Sequence, residues 1–240
     1  MIPALAHFVW LGSTPPAWVL RHMAAFEVHN PGWEVRLHTA GTDDGDLMRA
    51  YAVSDLWCQR ADIVYAGLLR EFGGLVVNCD SLAVRSFDPL LTAGEFWTTR
   101  HPPGVGEPRR LTNGMMGAVP GAPGVERYCQ EIARLGDLPT RPVRTEFGPR
   151  ALTRLFGADG GPNDLRCGEG MTLLPWWSFY PRGCNGGGRE ECHEFAAGDE
   201  TKRSAILTRW SVMGGFDPAE VYSVHLWGVD GSGFAEVRDA

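Results

Sequence analysis

Two adjacent glycines, Gly73-Gly74, separate an apolar segment from a run of strand-forming residues, and they constrain this chain more than any other feature. The segment from Asp55 to Phe72 reads as a helix. Gly73 suits the left-handed position that ends a helix, and Gly74 loosens the turn that follows. Leu75-Val76-Val77 is a short apolar run of strand-forming residues, so it reads as a buried strand. Asn78 and Asp80 follow at once, two short oxygen-bearing side chains one residue apart. In open α/β sheets ligands bind beyond the carboxyl ends of strands, which is where this pair falls. Taken alone, an Asn-x-Asp pair favours the plainer reading, a corner whose polar residues cap a loop.

The flanking sequence alternates in type. Ala4–Gly12 predicts a first buried strand, and Pro15-Pro16 opens a helix through about Val28. Asn30-Pro31-Gly32-Trp33 is a turn, and Glu34–Thr39 a second strand. Thr42–Asp46 reads as an acidic surface loop, and Ser54 as the N-cap of the helix that reaches Phe72. Beyond Asp80, strands are expected over Leu82–Arg85, Glu95–Arg100, Thr112–Val119, Met171–Trp176 and Val221–Trp227. A helix is expected over Ala122–Leu135, whose Val125, Tyr128, Ile132 and Leu135 share one face. His101–Arg110 reads as a flexible loop over the site, and Gly183–Gly188 as the most flexible stretch. Strand–helix–strand alternation implies an α/β sheet covered by helices, in one domain over 1–240.

Composition excludes several classes. The net charge is −7 and no dense basic run occurs, so nucleic acid is not the favoured partner. No signal peptide is evident at Met1–Trp10, and no apolar run is long enough to span a bilayer. The expected location is cytoplasmic. The six cysteines are scattered without a Cys-x-x-Cys pair and read as free thiols. Cys167, Cys184, Cys192 and His193 fit no common zinc spacing.

Asp62, Leu69, Gly73-Gly74, Asn78 and Asp80 together resemble the core signature of glycosyltransferase family 32, roughly Asp-x-x-Arg-x-x-x-Leu-x-x-x-Gly-Gly-x-Tyr-x-Asp-x-Asp. Further similar blocks are Pro3, His7 and Trp10 in the first strand, Asn30–Val35, Asn113 in its strand, Gly148-Pro149-x-x-Leu152-Thr153, Phe179-Tyr180-Pro181 and the closing His225. The Gly148 block is equally a helix entry, so it speaks for family more than for role. The resemblance implies a GT-A (Rossmann-like) fold, mostly parallel, and transfer of a sugar from a nucleotide-sugar donor. It also implies Mn²⁺ or Mg²⁺ and retention of configuration. The resemblance leaves the acceptor open among a protein, a lipid-linked or other glycan, a small molecule and a modified nucleic acid.

The same resemblance implies the roles. Asp80 would ligate the cation, with His225, Asp230 or Ser232 as a C-terminal second ligand. Asp62 would contact the donor's base, ribose or sugar, and Asn113 would lie near the acceptor sugar. His7 and Trp10 would flank the base; as residues at a strand end they read equally as core. Gly73 and Gly74 would shape the donor turn. The chain departs from the pattern at two donor-binding positions: Tyr65 stands where the family has Arg, and Asn78 where it has Asp. Tyr65 loses a planar cation able to grip a diphosphate, for which Arg70 or Arg85 could compensate. Asn78 keeps an acceptor oxygen but loses a charge. These departures define a second reading, a degenerate nucleotide-sugar or glycan-binding protein without turnover. A third is an unrelated α/β protein.

Overall fold

Strand-forming runs alternate with helices along most of the chain. The structure, a computed structural model, describes residues 1–42, 45–103, 110–138, 146–157, 165, 167–183, 185 and 187–227. In order the elements are β1 (Leu5–Val9), α1 (Ala17–His29), β2 (Glu34–His38), α2 (Gly45–Val53), α3 (Trp57–Phe72), β3 (Gly74–Val77) and β4 (Ser81–Ala83). They continue with β5 (Phe96–Thr99), β6 (Met115–Ala118), α4 (Pro123–Gly136), α5 (Ala151–Phe156), β7 (Thr172–Leu174), α6 (Gly188–Ala197), α7 (Glu200–Gly214) and β8 (Ser223–His225).

The main sheet has the order β2-β1-β3-β6-β5-β7. Parallel pairs join β1 to β2, β1 to β3 and β5 to β7, while β6 runs against both β3 and β5. It is therefore mostly parallel, with one reversed strand. β4 and β8 form a separate antiparallel ribbon, with Ser81 opposite His225. Helices cover both faces of the sheet, and β3 displays the alternation this requires. Leu75 and Val77 pack with Phe8, Val19 and Phe26 on the α1 side, while Val76 packs with Ile63, Leu69, Val125 and Ile132 on the other. A third cluster, including Phe195, Ile206, Trp210 and Val224, seats α6 and α7 against the ribbon. No helix among the described residues is long and apolar enough to cross a membrane.

The double glycine is required twice over. Gly73 ends α3 with φ 64° and its amide bonded to Leu69 O, and Gly74 opens β3 with φ 81°. A Cβ on Gly73 would run into Pro120 and the Ala118 carbonyl; one on Gly74 would strike the Leu5 carbonyl. Only glycine meets both demands.

Three expectations are corrected. Ser54 does not cap α3: its hydroxyl donates to Ala50 O at 2.8 Å, and α3 begins at Trp57. The acidic stretch is not all loop, because Gly45 and Asp46 already belong to α2; Asp43 and Asp44 lie outside the described residues. The glycine-rich stretch ends in helix, with Gly188 opening α6. α7, capped by Asp199 accepting from the Lys202 amide, was not expected at all. It buries Ile206 and Trp210 but leaves Val212 and Met213 in water, so its apolar residues trace no single stripe.

Candidate functional site

The backbone between Asn78 and Asp80 is fixed from three sides. Asn78 N donates to Gly114 O at 2.8 Å, and Ser81 N closes a turn onto Asn78 O at 3.0 Å. The Cys79 thiol donates to Val9 O at 3.3 Å, and its carbonyl accepts from His22 Nδ1 at 2.6 Å. Burial pushes the Cys79 thiol up to about 12, so it acts as a donor and not as a nucleophile.

Asp80 and His225 meet because β4 pairs with β8. Asp80 precedes β4, its carbonyl accepts from Leu226 N at 2.8 Å, and its Oδ1 lies 3.2 Å from His225 Nε2. Both side chains are buried, at 5% and 10% exposed. The same His225 nitrogen lies 3.1 Å from Asn78 Nδ2. On the far side Tyr65 OH donates to Asn78 Oδ1 at 3.0 Å. Burial raises the Tyr65 phenol well above its usual range, so it stays a neutral donor.

This arrangement decides what the pair can hold. With its oxygen accepting from Tyr65, the Asn78 amide turns its nitrogen towards His225 Nε2, a contact that needs the Nε2 lone pair, whereas the contact with Asp80 needs a hydrogen or a cation on Nε2. Asp80 Oδ1 brings a second electron-pair donor to the same place. The Trp227 amide donates to Nδ1 at 3.3 Å, which places the neutral ring's hydrogen on Nε2, where it faces Asp80 Oδ1. A carboxylate and an imidazole converging in this way call for a positive charge between them, either a proton or a cation. Carboxylate plus imidazole suits Mn²⁺, whose remaining positions take oxygen from substrate and water. A divalent cation that replaced the hydrogen on Nε2 would find one carboxylate and one imidazole nitrogen as ligands. Among the described residues no group of three or more His, Cys, Asp or Glu side chains clusters to hold a metal by protein alone. Asp230 and Ser232 lie outside the described residues.

A second pair adjoins the first. Asp62 and Tyr65 stand one turn apart on α3, hence on one face. Asn113 Nδ2 donates to Asp62 Oδ1 at 2.5 Å. Asn113 precedes Gly114, whose carbonyl holds Asn78, so the two pairs share one backbone segment. Tyr180 closes the edge, with its ring 5.1 Å from His225 and 5.8 Å from Trp227. The Trp227 indole donates to Arg182 O at 3.0 Å. Tyr180 and Trp227 carried no expected role; the Phe-Tyr-Pro and His-x-Trp strings were the only hints.

The remaining candidates fall outside this cluster or on its rim. His7 is a core histidine by contact: Nε2 donates to Gly73 O at 3.0 Å, and Nδ1 accepts from His38 at 3.0 Å. Burial lowers its pKa to about 4. Trp10, at the carboxyl end of β1, packs edge-on against Trp18 at 5.3 Å, and its buried Nε1 finds no partner among the described residues. Gly73 and Gly74 sit at the opposite end of β3 from Asn78. Arg70 turns to Asp46 and Glu126, and Arg85 lies over the Tyr222 ring. His101 lies close enough to His225 to feel its charge, and its backbone N donates to Arg110 O at 2.8 Å. Burial first, then the positive fields of Arg110 and His225, lower the His101 pKa to about 4.

No family model matches the chain. Over 168 residues it is 26% identical to inositol phosphoceramide mannosyltransferase 3 of Schizosaccharomyces pombe. That match takes in 65% of the chain but only 45% of the relative, so the chain spans less than half the relative's length. Among solved structures it is similar to the PaToxG glycosyltransferase, with a TM-score of 0.50 and 13% identity over 64% of this chain and 68% of that one. It also superposes on a glycosyltransferase involved in the glycosylation of the major capsid of PBCV-1, with a TM-score of 0.44 and 10% identity over 93% and 94% of the two chains. The fold is thus that of the GT-A glycosyltransferases, a mostly parallel sheet flanked by helices.

Proposed function

We propose that this chain is a glycosyltransferase of the family 32 type, moving a sugar with retention from a nucleotide-sugar donor to a glycan, protein or small-molecule acceptor. The observation that carries the reading is the meeting of Asp80 and His225 at 3.2 Å beyond the carboxyl end of β3. That is the place where open α/β sheets bind ligands. Asp80 and His225 would hold Mn²⁺ or Mg²⁺, which when bound supplies charge compensation for the departing diphosphate. Asp62 accepts hydrogen bonds from donor hydroxyls, and Asn113 holds Asp62 while presenting its own carbonyl oxygen. The deep-set Tyr65 and Tyr180 phenols keep water from the diphosphate side. The fungal relative's name puts mannosyl donors first among those to try.

The Tyr65–Asn78 contact favours one alternative, a protein that binds nucleotide sugars without turning them over, because both donor-position charges have gone. Thermal shift with a panel of nucleoside diphosphates and nucleotide sugars, with and without Mn²⁺, followed by donor hydrolysis, separates the two. Stabilisation with hydrolysis supports the enzyme. Stabilisation without hydrolysis or transfer supports the binding protein, and no shift removes both.

A further inference from the structure

Behind the Asp62–Asn113 pair stands the turn Glu146–Arg150, with three ties that no role assigned so far explains. Its Gly148 lies directly against both side chains: a Cβ there would collide with Asp62 Oδ2 and Asn113 Nδ2. Gly148 has φ −103° and ψ −107°, which breaks the helical path before α5 begins. On one side the buried Tyr128 of α4 donates to Phe147 O at 2.8 Å. On the other, the Thr153 hydroxyl donates to Pro149 O at 2.6 Å and accepts from Leu111 N at 2.9 Å. Leu111 lies two residues before Asn113 on the same segment.

We propose that Thr153, acting through the Gly148 turn and the Leu111–Asn113 segment, is a positioning residue that presets the Asp62–Asn113 pair for the donor. The proposal deepens the glycosyltransferase reading and rests on it for its kinetic part only. A hydroxyl both donates and accepts, and Thr153 uses both capacities to join the turn to the strand end that carries Asn113. A bond from a Thr hydroxyl back to the carbonyl four residues earlier is common on helices; a second bond to a separate segment is not needed for the helix. Packing the turn against Asp62 and Asn113 leaves one geometry for their hydrogen bond. Preset geometry is what a donor-binding carboxylate requires, because displacement by about an ångström costs up to roughly a hundredfold in rate.

The test compares Thr153→Val, which keeps shape but loses both bonds, with Thr153→Ser, which keeps both. The first readout is the Asn113 side-chain amide in ¹⁵N NMR, assigned by its disappearance in Asn113→Asp. In Thr153→Val its signal should shift and exchange faster with solvent, and in Thr153→Ser it should return to the wild-type position. The second readout is steady-state kinetics with the donor that stabilises the wild type. Thr153→Val should raise the donor KM about tenfold at nearly unchanged kcat, a loss within the range misplacement produces. Thr153→Ser should restore it. An Asn113 amide unmoved in folded Thr153→Val overturns the positioning role, whatever the activity. An amide that moves in a chain showing no donor binding or turnover would sink the glycosyltransferase reading while leaving the clamp in place. Should Thr153→Val fail to fold, Tyr128→Phe loosens the same turn from its other side and is read in the same way.

Discussion

Tyr65 donates to Asn78 across 3.0 Å, so the two donor-binding positions at which the chain differs from the family 32 pattern touch one another. An Arg and an Asp at these positions would make a charged pair; a phenol and an amide make a neutral one. The departures therefore compensate as a unit. Asn78→Asp alone would put a carboxylate beside Asp80, and Tyr65→Arg alone would bury a cation against an amide. Each single variant should be destabilised, and Tyr65→Arg/Asn78→Asp should recover part of the loss. The expected coupling is about 1–3 kcal/mol, as for neighbours in one buried network. Urea unfolding of the four proteins measures it, and strictly additive losses would mean that the contact is incidental.

Asp80 and His225 should be equivalent in their effect on metal. Asp80→Ala and His225→Ala should each lower Mn²⁺-dependent donor turnover roughly a hundredfold or more, since charge compensation of this kind is worth several kcal/mol. Mn²⁺ titration followed by electron paramagnetic resonance gives the affinity independently of turnover. Undiminished Mn²⁺ binding in either folded variant would remove that residue from the metal site.

His7 gives the fold a pH dependence of known sign. Its pKa is about 4 in the folded protein against an unfolded value of 6.5, so the unfolded chain binds more protons between these limits. The stability from this group is complete above about pH 6.5 and is lost as pH falls towards 4. The shift corresponds to at most about 3 kcal/mol. Denaturant midpoints measured from pH 7 to pH 4 should fall, and His7→Gln should flatten the fall. An equal slope in the variant would assign the effect to other groups, His101 first among them.

The double glycine should tolerate nothing. Gly73→Ala and Gly74→Ala each meet backbone or proline and force a positive φ on a side chain, for a cost of about 2–4 kcal/mol. Thermal unfolding reads this directly. A loss no larger than that of an exposed helix substitution would mean that the turn can relax.

Much of this architecture was legible because local chemistry and tertiary context agree there. Trp57–Phe72, Gly73-Gly74 and Leu75–Val77 each have one physical solution, and Ala122–Leu135 carries an unambiguous apolar stripe. α2, α6 and α7 were missed for the opposite reason. α7 mixes buried Trp210 with exposed Val212 and Met213, and α2 buries little besides Leu47 and Ala50. Ser54 misled because a serine next to a helix start can also finish the helix before it. In the candidate site, the sequence could nominate Asp62, Tyr65, Asn78, Asp80, Asn113 and His225 one by one. It could not pair Tyr65 with Asn78, or Asp62 with Asn113, because these contacts depend on how α3 is rotated over β3. Thr153 was named only as part of the Gly148 block and given no role, since a threonine early in a helix is ordinary until its hydroxyl is seen to reach a second segment.

The β4–β8 ribbon also has a meaning in time. Asn78 and His225 are separated by 147 residues, and the imidazole joins Asp80 only when the ribbon closes. On a ribosome adding about 5–20 residues per second, that interval lasts roughly seven to thirty seconds. During it Asp80 is already made while its partner is not. A nascent chain in that interval lacks the imidazole half of the proposed cation seat. On the proposed reading, competence arrives late in synthesis, with the strand that carries His225, and an interrupted translation product ending before that strand would lack it.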